Sequence, residues 1–139
     1  MGKRIENWAI VLGNELRKPR KFIWGIEDCC LFSANIVNTI TNVDVAQSYR
    51  GKYNSKISAF KLIKKRGYKN LVDLIDTEAK KYGFLRIDKN FAQKGDVVSK
   101  KIKGDEIIGI MLDDVGVFLN KDKYIYTKRE KLKLAWAIR

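Results

Sequence analysis

Residues 22–30 read Phe-Ile-Trp-Gly-Ile-Glu-Asp-Cys-Cys, in a chain of 139 residues that contains no histidine. Asp28 stands at a helix N-cap position, which places Cys29 in the first turn of the helix that follows. There the positive end of the helix dipole and the free backbone N–H groups lower a thiol pKa and can cradle an oxyanion. Acyl transfer also needs a group that takes the thiol proton and returns it to a leaving amine, the work histidine does near neutral pH. Glu27 and Asp28 are the local alternatives, but a carboxylate with a pKa of about 4 is a poor donor at pH 7. Losing the base of an established triad costs about a million-fold in turnover. Cys29 is thus a candidate nucleophile without its usual base, and Asp28 is its candidate helix cap.

A plainer reading makes Cys29 and Cys30 small apolar residues on the packed face of that helix. In the same reading Trp24 and Gly25 are structural. The glycine permits a close approach to the following helix, and the indole covers the helix start as a pocket wall. The two cysteines are adjacent and the chain has no others. They cannot easily bridge each other, so neither a disulfide framework nor a cysteine-rich zinc site can be built. No metal and no cofactor is expected.

The elements that must position these residues follow from periodicity. Ile5, Trp8, Ala9, Leu12 and Leu16 recur at three- and four-residue intervals up to Lys18-Pro19 and predict one amphipathic helix. Leu31, Phe32, Ala34, Ile36, Val37 and Ile40 predict a second, the most buried, from Cys29 to Thr41. Tyr49-Arg50-Gly51-Lys52-Tyr53 reads as an ordered loop with a glycine turn. Ser55 caps a third helix, carrying Ile57, Ala59, Phe60, Leu62 and Ile63 and closed by Arg66-Gly67. A fourth runs from about Asn70 to Tyr82. Beyond Gly83 the period changes to short β-branched and aromatic runs near 84–87, 96–103, 106–112, 115–119, 123–127 and 133–138. Lys103-Gly104-Asp105 supplies a hairpin turn. A helical first half packed on a C-terminal antiparallel β-sheet is an α+β architecture, and the length suits a single domain over residues 1–139.

Hydrophobic residues make up 45% of the chain and proline occurs once, which argues against disorder. No apolar run approaches the roughly 20 residues of a membrane span. The start, Met1 to Trp8, is charged and turns amphipathic before a signal-type apolar core forms, so a soluble protein made in a cytoplasm is expected. Lys and Arg total 29 against 16 acids, a net charge of +13. That excess invites a polyanionic partner, whether nucleic acid, acidic wall polymer or acidic protein, or else only solvates the surface. Lys61-Leu62-Ile63-Lys64-Lys65-Arg66, with Tyr68 nearby, reads either as a nucleic-acid contact or as the wet face of a helix. The basic residues otherwise look spread along the chain.

With these residues in view, the chain resembles the papain-like NlpC-type cell-wall peptidase superfamily, in a small tailed-phage branch. Phe22-Ile-Trp-Gly-Ile-Glu-Asp-Cys29 matches the nucleophile region, Tyr49 to Tyr53 an Arg-Gly-x-Tyr loop, and Gly95-Asp96-Val97-Val98 the Gly-Asp that opens the first core strand. Ala135 to Arg139 resembles the closing strand. In active relatives the next strand carries the catalytic histidine in a His-x-Gly-Ile pattern. Here Ile107-Ile108-Gly109-Ile110 fits it, with Ile107 in the histidine's place. Asn120 is a loose candidate for the third, orienting position. The resemblance therefore implies a degenerate site, and an isoleucine beside Cys29 would raise the thiol pKa. It further implies a tail-assembly or virion component near the tail tip or baseplate, made in the host cytoplasm and built into the tail. Other phage tail proteins, and the anionic cell envelope, are its implied partners. Two alternatives stand beside it: an active peptidoglycan amidase or endopeptidase using Cys29 during entry, and a basic nucleic-acid-binding protein.

Overall fold

A computed structural model of the chain describes residues 4–139; Met1, Gly2 and Lys3, part of the charged start, lie outside the described residues. Four helices come first: α1 (Trp8–Arg17), α2 (Cys29–Thr41), α3 (Lys56–Lys65) and α4 (Leu71–Lys80). Six strands follow: β1 (Arg86–Ile87), β2 (Val97–Ile102), β3 (Asp105–Met111), β4 (Val115–Asn120), β5 (Lys123–Lys128) and β6 (Leu134–Trp136). Single 3-10 turns cover Lys89–Phe91 and Arg129–Lys131. The α+β class and the order of elements are those expected from periodicity.

Local chemistry sets most boundaries. Helix α1 begins later than the apolar spacing suggests, because the Ile5 N–H donates to the Ile40 carbonyl at 2.8 Å and ties that residue to α2. It ends where Lys18, the residue before Pro19, turns extended. Helix α2 closes on Asn42 in the left-handed region at φ 61°. A reciprocal pair of hydrogen bonds between Ser55 and Ser58 caps α3. Asn70 caps α4 by accepting from the Asp73 N–H at 2.9 Å. This helix stops two residues short of Tyr82, since the N–H groups of Tyr82 and Gly83 take the tighter carbonyls of Ala79 and Lys80.

All strand pairs are antiparallel, in the order β1-β6-β2-β3-β4-β5. Strand β6 therefore returns from the end of the chain to lie between β1 and β2. Lys103 (φ 50°) and Gly104 (φ 86°) are both left-handed and close the β2–β3 hairpin in two residues. One face of the sheet buries Val97, Ile108, Ile110, Val117, Leu119 and Trp136 against Leu12, Phe32, Ile36, Val37 and Ile40 of the helices. The other face carries Val98, Met111, Phe118 and Ala135 under Ala92 and Leu132. Helix α2 is the most buried, with eight inward residues. In α3 only Ile63 is buried, and Ile57 and Phe60 are exposed. No helix among the described residues is long and apolar enough to cross a membrane.

The Gly95-Asp96 step before β2 serves as a clamp. Fully buried Asp96 accepts from Arg4 (3.0 Å), Arg139 (3.1 Å) and the backbone N–H groups of Gln93 (2.8 Å) and Ile138 (2.9 Å). Breaking such a pair leaves an uncompensated buried cation, so Asp96→Asn is expected to cost about 3 kcal/mol in urea unfolding. A loss under about 0.5 kcal/mol would mean the clamp is a surface contact in effect.

Candidate functional site

The geometry around Cys29 begins with Asp28. Its Oδ1 accepts from the N–H groups of Cys30 (3.1 Å) and Leu31 (3.0 Å), and its Oδ2 accepts from the Gly25 N–H (3.0 Å) and the Tyr53 hydroxyl (2.5 Å). The carboxyl is buried, and it forms no ion pair among the described residues. Asp28 is therefore the cap that the sequence predicts, and four donors occupy it, which removes it as a proton acceptor for Cys29. Gly25 is glycine for a different reason from the expected approach to α2. At φ 83° its missing Cβ would lie 2.0 Å from the Tyr53 carbonyl oxygen, and its own carbonyl accepts from Gly51 at 2.8 Å. The 49–53 loop, not the helix, is what presses on the turn. Trp24 packs edge-on against Phe22, with ring centroids 5.1 Å apart.

Glu27 is likewise engaged. It accepts from Arg20 (2.7 Å) and from the Asn35 amide (2.7 Å). Arg20, itself buried, also reaches Glu15 and the Tyr124 hydroxyl, while Asn35 passes the chain of contacts to Arg50 and Asp44. Neither local carboxylate is free to serve the thiol.

A cleft of about 250 Å³ brings together Trp24, Cys29, Tyr53, Ile107 and Asn120. Three positions widely separated in sequence, the candidate nucleophile, the position in the histidine's place and the candidate orienting residue, thus border one space. Their side chains do not form a relay. Ile107 packs with the cluster of Met111 and Phe118 on the far face of the sheet. Strand alternation gives the α2 face of β3 to Glu106 and Ile108 instead. Glu106, which the sequence reading passed over, also lines the cleft. One of its oxygens pairs with Lys133 at 3.1 Å and the other is buried with no partner among the described residues. The only sequence signal for it was its place two residues before Ile108. Tyr53 was legible only as part of the Arg-Gly-x-Tyr run.

The two thiols differ. Their sulfurs lie 3.9 Å apart. Donation from Cys30, with further help from the backbone N–H of Ile108, holds the Cys29 pKa below its ordinary value despite burial and the charge of Asp28. The same contact, with desolvation, pushes Cys30 well above. Cys30 fits the plain packing reading, since it joins the main core. Cys29 does not. The expected rise in its pKa from a neighbouring isoleucine is reversed, because the Ile107 side chain points elsewhere and hydrogen bonds outweigh desolvation. Tyr53 is pushed far up by burial and by Asp28, so its phenol stays protonated.

Alkylation with iodoacetamide should modify Cys29 faster than Cys30, with a half-maximal pH below the ordinary thiol range. Cys30→Ala removes the S–H donor and should move that midpoint upward; an unchanged midpoint would assign the shift to the helix end alone. No curated protein and no solved structure matches the chain. The family described as a domain of unknown function, DUF6950, matches residues 3–138, and the chain belongs to it.

Proposed function

We propose that this chain is a papain-like NlpC-type domain whose cleft retains the nucleophile position without a proton relay, and that it serves as a non-catalytic component of a phage tail near the tip or baseplate. One observation carries the non-catalytic half: no group in the Cys29 cleft can both take the thiol proton and give it to a leaving amine. Histidine is absent, Asp28 holds four donors, Glu27 is turned to Arg20 and Asn35 and does not line the cleft, Tyr53 is bound to Asp28, and the Ile107 side chain is on the other face. A thiol at the start of the buried helix, packed on an antiparallel sheet with Asn120 bordering the same cleft, supports the NlpC-type reading, while the outward Ile107 side chain counts against its standing in the histidine's place. The tail assignment rests on the sequence resemblance, and the net charge of +13 suits docking on acidic tail neighbours.

A second reading is favoured by the lowered Cys29 pKa and by the partnerless oxygen of Glu106 in the same cleft. In it Cys29 attacks a peptidoglycan stem-peptide bond and Glu106 accepts the proton. The proton would then have to pass from Glu106 to the departing amine, and the reading suffers because Lys133 holds one Glu106 oxygen at 3.1 Å.

Mass spectrometry of purified virions should find the protein at a fixed copy number per particle, and its absence would end the tail reading. Virions carrying Cys29→Ala should infect normally and the purified protein should release no muropeptides. Wall cleavage that Cys29→Ala and Glu106→Gln both abolish would instead establish the hydrolase.

A further inference from the structure

Charge is not evenly spread in this chain. Residues 45–72 hold eight Lys and Arg and no Asp or Glu, and α3 lies within them. At 100° per residue, Phe60, Lys64, Ile57, Lys61 and Lys65 follow one another around an arc of about 140° on α3. All five are exposed, and together they line one shallow open depression. Ile57 is 68% exposed and Phe60 44%. The opposite side of the helix, Leu62 and Ile63, is what packs inward, against Tyr49 and Leu74. Among the described residues, Lys61 and Lys65 form no ion pair, while Lys64 donates to the Lys69 carbonyl at 2.5 Å. Within the same segment Arg50 pairs with Asp44 and Lys56 with Asp105, so the lysines without an acid partner among the described residues include Lys61 and Lys65 on the outer face of α3.

We infer that the outer face of α3 docks on an anionic phospholipid surface, with Ile57 and Phe60 entering the boundary between headgroups and acyl chains and Lys61, Lys64 and Lys65 meeting the phosphates. An acid-free basic segment supplies the charge complementarity. Two large apolar side chains set among the lysines decide the kind of polyanion. A nucleic-acid backbone or an acidic wall polymer would leave Ile57 and Phe60 in water, whereas a lipid interface buries them. The Ser55–Ser58 capping pair holds the short helix formed before contact, so docking costs little ordering. The surface names one anionic partner within the reading above, and it can fail without touching the tail assignment, which virion composition tests separately.

The test is flotation of the purified full chain with vesicles of phosphatidylcholine alone and of phosphatidylcholine mixed with phosphatidylglycerol, with duplex DNA as competitor. Wild type should float with the mixed vesicles only and lose binding as salt rises. Lys61→Gln/Lys64→Gln/Lys65→Gln should lower partition roughly 100-fold, from about five-fold per lysine. Ile57→Ser/Phe60→Ser should lower it roughly ten-fold or more while every charge remains. Both variants change exposed residues, and thermal melts matching wild type show that each is folded. Absence of flotation overturns the proposal. So does binding that Ile57→Ser/Phe60→Ser leaves intact, or that duplex DNA displaces as well as the vesicles support it, since either makes α3 a general polyanion contact.

Discussion

A buried carboxylate with no counter-cation has to be satisfied entirely by hydrogen-bond donors, and Asp28 meets that demand by drawing three separate stretches of chain onto one side chain. Two donors are the orphan N–H groups at the start of α2, one is the backbone of the Gly25 turn, and one is the hydroxyl of Tyr53. Removal of any partner would leave a desolvated oxygen, at about 1–3 kcal/mol. The turn, the helix start and the 49–53 loop are therefore one unit, and Cys29 sits at its centre. The cap also works against the thiolate, because the Asp28 charge raises the Cys29 pKa. Donation from Cys30 outweighs it.

A second set of contacts holds this unit to the rest of the molecule. The polar chain Glu15–Arg20–Glu27–Asn35–Arg50–Asp44 runs from the end of α1 across the turn and α2 to the loop before α3. Arg20 is buried, lies 5.2 Å over the Phe32 ring, and donates to Tyr124 of β5, so the same guanidinium joins helix layer and sheet. The rigid partners on every side explain why the site's carboxylates serve structure. Asp28 is spent on holding three stretches of chain together, and Glu27 is turned to Arg20 and Asn35 and does not line the cleft. Glu106 escapes this only in part, since Lys133 fixes one of its oxygens.

Much of the architecture was legible because it is encoded by contiguous residues. Asp28 before Cys29, Ser55 before Lys56 and Asn70 before Leu71 cap helices through side chains that act within three positions, and the structure begins α2, α3 and α4 at those residues. The strand segments were visible as short β-branched runs, and Lys103-Gly104 as their turn. Misreadings arose where a partner far along the chain decided the outcome. Ile5 looked helical but pairs with Ile40, and Gly25 looked fitted to α2 but is fitted to Tyr53.

The sequence by itself determined the α+β class, the four helices, the strand segments and the presence of a thiol at a helix start without any histidine, since capping, periodicity and turn conformation act over a few residues. Tertiary structure alone decided that β6 lies between β1 and β2, that Ile107 faces away from Cys29 while Glu106 lines its cleft, and that Asp28 and Glu27 are engaged by Tyr53, Gly25, Arg20 and Asn35. Those outcomes depend on register and on which surfaces meet. A one-residue change of register would reverse every face of β3, and the composition of the strand would be the same.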